Sequence, residues 1–276
     1  NYITALGYGA ADQTLYDKFW PADIHLMAKE IVRFHSIIWP AILMALDIPL
    51  PKKVYGHGWL MMGGDKLSKS KSGNVLKDVI DPFVLIKRYG ADALRYVLIK
   101  DGPYAGDTPY TNDTLISAIN SDLANDLGNL LSRTTAMISQ YFDGKVPQPQ
   151  EYNEIDKELI TMAESLYGKL SDYAKCGDMP SAAAQVFALI RRANKYIDQT
   201  TPWTLSKTEE GKTRLKTVLY VLAETLRIAA AYLLPIMPDS AQTILNRIGA
   251  RKIDSFDDVK KFGGLIAGSA VTKGEA

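Results

Sequence analysis

One cysteine, Cys176, stands in 276 residues, so no disulfide within the chain can form, and a reducing, cytoplasmic setting suits it. Histidine is as scarce. His25, His35 and His57 do not group with Cys176 or with carboxylates at zinc-ligand spacing, so no metal site is expected within this chain. An excess of charge of either sign is also lacking. With 32 Lys and Arg against 31 Asp and Glu the net charge is +1, so contact with nucleic acid must come from local patches rather than from the overall field. The longest apolar stretch near the end, Ile228 to Ile236, is too short for a bilayer, and no membrane partner is expected. The opening Asn1-Tyr2-Ile3-Thr4 lacks the basic region and apolar core of a secretory leader. Both ends read as cut, and the expectation is a piece of a larger protein.

Hydrophobic residues make up 47% of the chain and charged residues 23%, enough to bury a substantial core in one to three domains. Two grammars follow one another. Ile24 to Ala28 reads as a short buried strand, Lys29 to Asp47 as a helix with a kink or break at Pro40, and Lys53 to His57 as the next strand. Strand, helix, strand is the unit of a parallel α/β sheet. Asp81 to Lys100 reads as a further amphipathic helix, and a Gly-, Pro-, Asp- and Thr-rich loop runs from Asp101 to Asp113. Then four long segments with helical periodicity follow: Thr114–Phe142, Asp156–Tyr173, Ser181–Asp198 and Glu210–Leu234. That is an antiparallel helix bundle. The tail from Arg251, with Gly263-Gly264, looks loop-like. The fold class expected is α/β followed by all-α.

The densest chemistry lies in Lys66-Leu67-Ser68-Lys69-Ser70, which follows the apolar run Val54–Met62 and Gly63-Gly64. A strand, a glycine turn and a loop bearing two ammoniums and several hydroxyl and N–H donors make a phosphate-handling device. Taken alone, such a run is more often a solvated basic loop. Phe34-His35-Ser36 with Trp39-Pro40-Ala41, then His57-Gly58-Trp59, then this loop, together carry a resemblance. The chain resembles the bacterial methionyl-tRNA synthetases, class I aminoacyl-tRNA synthetases, over essentially its whole length. The Lys-Met-Ser-Lys-Ser signature stands here with Leu67 in the methionine position. The signature is shared with the leucine, isoleucine, valine and cysteine enzymes. Phe-His-x-x-x-Trp-Pro and Pro202-Trp203 argue for methionine.

That resemblance implies a layout. Residues 1–75 would be the closing part of a Rossmann-like catalytic domain, 76–113 a stem-contact segment, 114–250 a helical anticodon-binding domain and 251–276 a tail. It implies ATP with Mg²⁺, L-methionine and the methionine tRNA as substrates. Lys66, Ser68, Lys69 and Ser70 would form the loop that closes over ATP, with Lys69 meeting the leaving pyrophosphate. Gly63 and Gly64 would hinge it. His57, Gly58, Trp59 and Leu60 would lie along the adenine and Glu30 near the ribose. Tyr2, Ile31, Phe34 and His35 would fall on the methionine pocket, although periodicity alone makes Phe34 and His35 ordinary core packing. Asn129, Arg133 and the Pro202-Trp203 corner would read the CAU anticodon, Trp203 by stacking and Asn129 and Arg133 by base-edge hydrogen bonds. Asp92, Arg95 and Tyr96 would lie where relatives contact the inner side of the tRNA.

Two departures from the pattern matter. Lys71-Ser72-Gly73-Asn74 carries one residue more than the family's usual continuation after the signature. No His-x-Gly-His element is present, nor the family's zinc-bearing insertion; both would lie before Asn1, as would the amino-terminal half of the active site. The expectation is therefore a methionine–tRNA ligase fragment that is inactive alone and needs its missing amino-terminal half as partner. The alternatives are an anticodon-binding module without catalysis, or a class I synthetase for leucine, isoleucine or valine.

Overall fold

The computed structural model describes residues 1–62, 65–66, 81–104 and 106–272. It divides into two compact units, residues 1–68 with 103–109, and residues 69–102 with 110–276.

The first unit opens with two short helices, α1 (Tyr2–Ala5) and α2 (Thr14–Phe19). Strand β1 (His25–Ala28) pairs in parallel with β2 (Val54–His57), His25 opposite Val54 and Ala28 opposite His57. The helical crossover between them is not one α-helix. It runs through a 3-10 turn (Lys29–Ile31) and a π-helical stretch (Phe34–Ile38) into α3 (Trp39–Ala45). The disturbance expected at Pro40 thus falls one turn earlier. Pro40 itself sits in the first turn of α3, where its missing N–H costs nothing, and the wider π turn precedes it. Ile3, Trp20, Leu43 and Ile48 form the core of this unit. Strand β3 (Leu60–Met62) pairs antiparallel with β4 (Asp65–Lys66) and parallel with β5 (Thr108–Pro109).

In the second unit the stretch from Asp81 to Lys100, expected as one helix, is two: α4 (Pro82–Tyr89) and α5 (Ala91–Lys100). Gly90 separates them at φ 88°, ψ 153°, a conformation that glycine alone adopts without strain. The bundle follows. A single helical run comprises α6 (Asn112–Ala118), a π segment (Ile119–Gly128) and α7 (Asn129–Tyr141). Next come α8 (Glu154–Cys176) and α9 (Met179–Thr200), then the one-turn α10 (Pro202–Leu205) and α11 (Glu209–Leu233). Caps explain why the helices outrun their periodic cores. Asn153 and Asp156 form a reciprocal capping box at the start of α8, and Gly177 closes it in the left-handed conformation at φ 79°. A fifth bundle helix, α12 (Pro238–Arg247), stands where none was expected.

The tail is not solvated loop. Leu265 and Val271 are buried, Val271 donates to the Gly144 carbonyl, and the backbone N–H groups of Gly263, Gly264 and Leu265 all donate to the Glu224 carboxylate at 2.9 Å. Arg227 holds the same carboxylate through two bonds of 2.7 Å. Among the described residues no helix is long and apolar enough to cross a membrane.

Candidate active-site wall and anticodon-reading face

In open parallel sheets, ligands gather at the carboxyl ends of the strands. Here those ends are Ala28 and His57, and the residues that follow each strand interlock. The Trp59 indole N–H donates to the Glu30 carboxylate, so these two expected ATP-side residues are brought together. The Lys29 ammonium lies 4.5 Å over the Trp59 ring and forms an ion pair with Asp107 at 2.7 Å. Asp107 also accepts the backbone N–H of Trp59 at 2.9 Å. The Lys29 hydrogen bond and that N–H hold the Asp107 carboxyl below its usual range. Gly58 is buried and gives its N–H to the Pro103 carbonyl at 2.8 Å; a Cβ there would stand 2.2 Å from the Gly106 carbonyl oxygen. The amides of Gly58 and Trp59 are therefore spent on the 103–107 segment. His57 is half-buried with Nδ1 on the Gly58 carbonyl at 2.7 Å, and Leu60 is half-buried in β3.

The expected methionine residues separate into two groups. The Tyr2 hydroxyl meets His35 Nε2 at 2.7 Å, while His35 Nδ1 lies 2.9 Å from the Ile31 carbonyl. The Tyr2 ring is also edge-on to His25 at 4.6 Å and 6.0 Å from Trp39, and Trp39 lies 6.2 Å from Trp20. His25, Trp39 and Trp20 thus join Tyr2 and His35 in a cluster of five aromatic or imidazole rings. Burial, with His35 adding to it, pushes His25 below the ordinary histidine value. The Phe34 and Ile31 side chains, by contrast, are exposed at 58% and 39%. Phe34 is therefore not the core packing that periodicity suggested. Sequence reasoning did not single out Trp20, His25 or the Trp39 indole as members of this cluster, nor Lys29 and Asp107. Trp39 stood inside a quoted stretch, but Asp107 is 78 residues from its lysine and carried no signal.

Of the signature loop, Lys66 is in β4 opposite Met61. Ser68, Lys69 and Ser70, with Gly63 and Gly64, lie outside the described residues.

In the second unit Asn129 opens α7 and is exposed; Arg133, one turn on, reaches across to Asp198 of α9 at 2.9 Å. Four residues beyond Asp198, Pro202 is buried while Trp203 is 45% exposed. The corner between them is Thr201, held at φ 40°. Asp198 is a partner that sequence reasoning missed. The Arg95 guanidinium donates to the Ile236 and Pro235 carbonyls at 2.7 Å, Asp92 accepts the Ser240 N–H, and Tyr96 donates to the buried Asp122. All three are spent inside the unit.

The family described as tRNA synthetases class I (M) matches residues 1–135, and the anticodon binding domain of methionyl tRNA ligase matches residues 146–276. The chain belongs to the methionyl-tRNA synthetase family. It is 52% identical to methionine–tRNA ligase of Clostridium acetobutylicum and 50% identical to that of Caldanaerobacter subterraneus, in each case over 275 residues. Those alignments take in 100% of this chain and 42% of either relative, so the chain spans less than half the length of these two enzymes. A structure of Mycobacterium tuberculosis methionyl-tRNA synthetase in complex with methionyl-adenylate superposes with a TM-score of 0.90 at 37% identity. That match covers 98% of this chain and 52% of the other. The α/β unit followed by a helical bundle is thus the arrangement of this family.

Proposed function

We propose that this chain supplies one wall of the active site and the anticodon reader of a methionine–tRNA ligase. The observation that carries the reading is the Tyr2–His35 hydrogen bond of 2.7 Å inside a cluster of aromatic side chains that includes His25, the first residue of β1. An apolar, polarizable thioether suits such a box, with few polar contacts. In the activation step a methionine carboxylate oxygen bonds to the α-phosphorus of ATP, and the bond to the bridging oxygen breaks. Pyrophosphate leaves with that electron pair, giving methionyl-adenylate. Mg²⁺ accompanies ATP, and the Lys69 ammonium meets the charge on the leaving group. A ribose hydroxyl of the tRNA then attacks the acyl carbon, and AMP departs. The exposed ring of Trp203 suits stacking on an unpaired base, with Arg133 and Asn129 one turn apart on α7 as edge donors. The unpaired thiol of Cys176 suits the cytoplasm.

The partner implied is a polypeptide equivalent to the rest of the relatives' catalytic domain. Exposed apolar side chains in the first unit support this: Leu26, Ile37 and Ile42 are 66%, 61% and 46% exposed, and among the described residues β1 pairs with β2 alone. The test is methionine-dependent ATP–pyrophosphate exchange by this chain alone and after addition of the amino-terminal part of the C. acetobutylicum enzyme. Exchange only in the mixture supports the reading; normal exchange by the chain alone overturns it. Separately, Trp203→Ala should weaken binding of methionine tRNA by roughly 1–3 kcal/mol. Equal affinity would sink the anticodon assignment while leaving the catalytic one standing.

A further inference from the structure

Within the bundle, α8, α9 and α11 together with the 234–237 turn enclose an open-mouthed cavity of about 270 Å³, lined by apolar groups such as Ala183, Val186, Pro235 and Ile236. None of the residues assigned to methionine, ATP or the anticodon lines it. A dry apolar cavity of roughly 150 Å³ holds a benzene molecule, so this one has room for a substituted ring. Part of its wall is held in place: the carbonyls of Pro235 and Ile236 are those clamped by Arg95 at 2.7 Å.

Tyr232 also lines the cavity and is only 6% exposed, yet its hydroxyl has no hydrogen-bond partner among the described residues. The contrast with its neighbours is informative. The buried hydroxyls of Tyr96, Tyr196 and Tyr220 donate to Asp122, to Asp156 and to the Leu265 carbonyl respectively; outside the bundle helices, Tyr110 shares the orphaned state. A buried hydroxyl without a partner costs free energy and calls for an explanation. One wall of the cavity is a single short turn. Phe256 sits on a single 3-10 turn (Phe256–Val259), is 40% exposed, and rests against the Tyr232 ring with centroids 5.3 Å apart.

We propose that this cavity is a binding site for a compact, neutral ring compound bearing one carbonyl, whose oxygen accepts the Tyr232 O–H as Phe256 tilts aside. The apolar lining excludes charged ligands, which would forfeit their hydration. Burial raises the Tyr232 hydroxyl to about 12, so it is a protonated donor at neutral pH and calls for an acceptor.

The probes are acetophenone and ethylbenzene, nearly equal in shape but differing in the carbonyl, titrated into the 276-residue chain by ligand-detected NMR. Both should bind, acetophenone the more tightly. Tyr232→Phe should weaken acetophenone about 2- to 10-fold, the worth of one hydrogen bond, and leave ethylbenzene within twofold. Ala174→Phe provides a second variant independent of the buried tyrosine. Ala174 lines the cavity yet is exposed, so the bundle tolerates the larger side chain while both probes lose affinity. No saturable binding of either probe overturns the proposal. So does binding of both that neither variant changes, or a crystal structure in which only a water meets the Tyr232 hydroxyl.

Discussion

Replacing Glu224 by glutamine should be among the most damaging single changes in the helical unit. Glu224 is fully buried on α11, and its carboxylate accepts five hydrogen bonds: two from Arg227 at 2.7 Å and three from the backbone of Gly263, Gly264 and Leu265 at 2.9 Å. Arg227 is itself only 3% exposed. Glutamine keeps the shape but removes the charge and turns one acceptor into a donor, which then faces either the guanidinium or the tail amides. Removing one partner of a buried ion pair costs about 3–5 kcal/mol, because the other charge stays buried and unanswered. For a unit of this size that corresponds to a fall in melting temperature of roughly 6–20 °C.

Urea unfolding followed by far-ultraviolet circular dichroism measures the loss, and limited proteolysis between residues 251 and 272 reports whether the tail is released. The double variant Glu224→Leu with Arg227→Met sharpens the argument. An isolated buried pair can be exchanged for apolar side chains at almost no cost. Here the buried Leu265 N–H would still be orphaned, so a residual loss of about 1–3 kcal/mol is expected. A glutamine variant within about 0.5 kcal/mol of the parent would refute the carboxylate as the anchor of the tail. Full recovery in the double variant would refute the tail's share in it.

Three further outcomes are expected. Asp198→Ala should change stability by less than about 1 kcal/mol, since the Arg133–Asp198 pair is solvent-exposed at 37% and 66%; a larger drop in the urea midpoint would make the pair structural. Thr201→Gly should stabilise by roughly 0.5–1 kcal/mol. A β-branched residue at φ 40° bears about 1–2 kcal/mol of left-handed strain, against which the entropy of glycine takes back about 0.5–1; a lower melting temperature would contradict this. The depressed His25 makes the first unit acid-sensitive. The unfolded imidazole takes up a proton near 6.5 while the buried one, beside Tyr2 and His35, resists until lower pH. Stability is therefore complete above about pH 6.5 and is lost as pH falls through the folded value. His25→Phe should flatten that dependence in tryptophan-fluorescence unfolding between pH 7.5 and 5, and an unchanged slope would exclude His25 as its source.

How far the chain could be read from its residues depends on the range of the interactions. The parallel pair β1 and β2 and the four long bundle helices were legible because a short apolar run and a 3.6-residue apolar period are local properties. The π turns at 34–38 and 119–128 were not, because their composition is that of an α-helix and only packing selects the wider turn. Helix α12 hid behind Pro235 and Pro238, with few apolar residues to mark its buried face. Gly263-Gly264 reads as a loop because its hydrogen-bond acceptor lies 39 and 40 residues upstream. The candidate sites follow the same logic. Residue types, such as a histidine in Phe-His-x-x-x-Trp-Pro or a tryptophan after proline, were visible through family resemblance. The restraints on them were not: Tyr2 to His35, Glu30 to Trp59, Arg133 to Asp198 and Lys29 to Asp107 are 33, 29, 65 and 78 residues apart. A linear pattern names the groups that do chemistry, whereas the partners that hold them in place are chosen by the fold. For that reason the residues missed here, Asp107 and Asp198 above all, are ones that restrain a candidate site residue, Trp59 and Arg133 respectively.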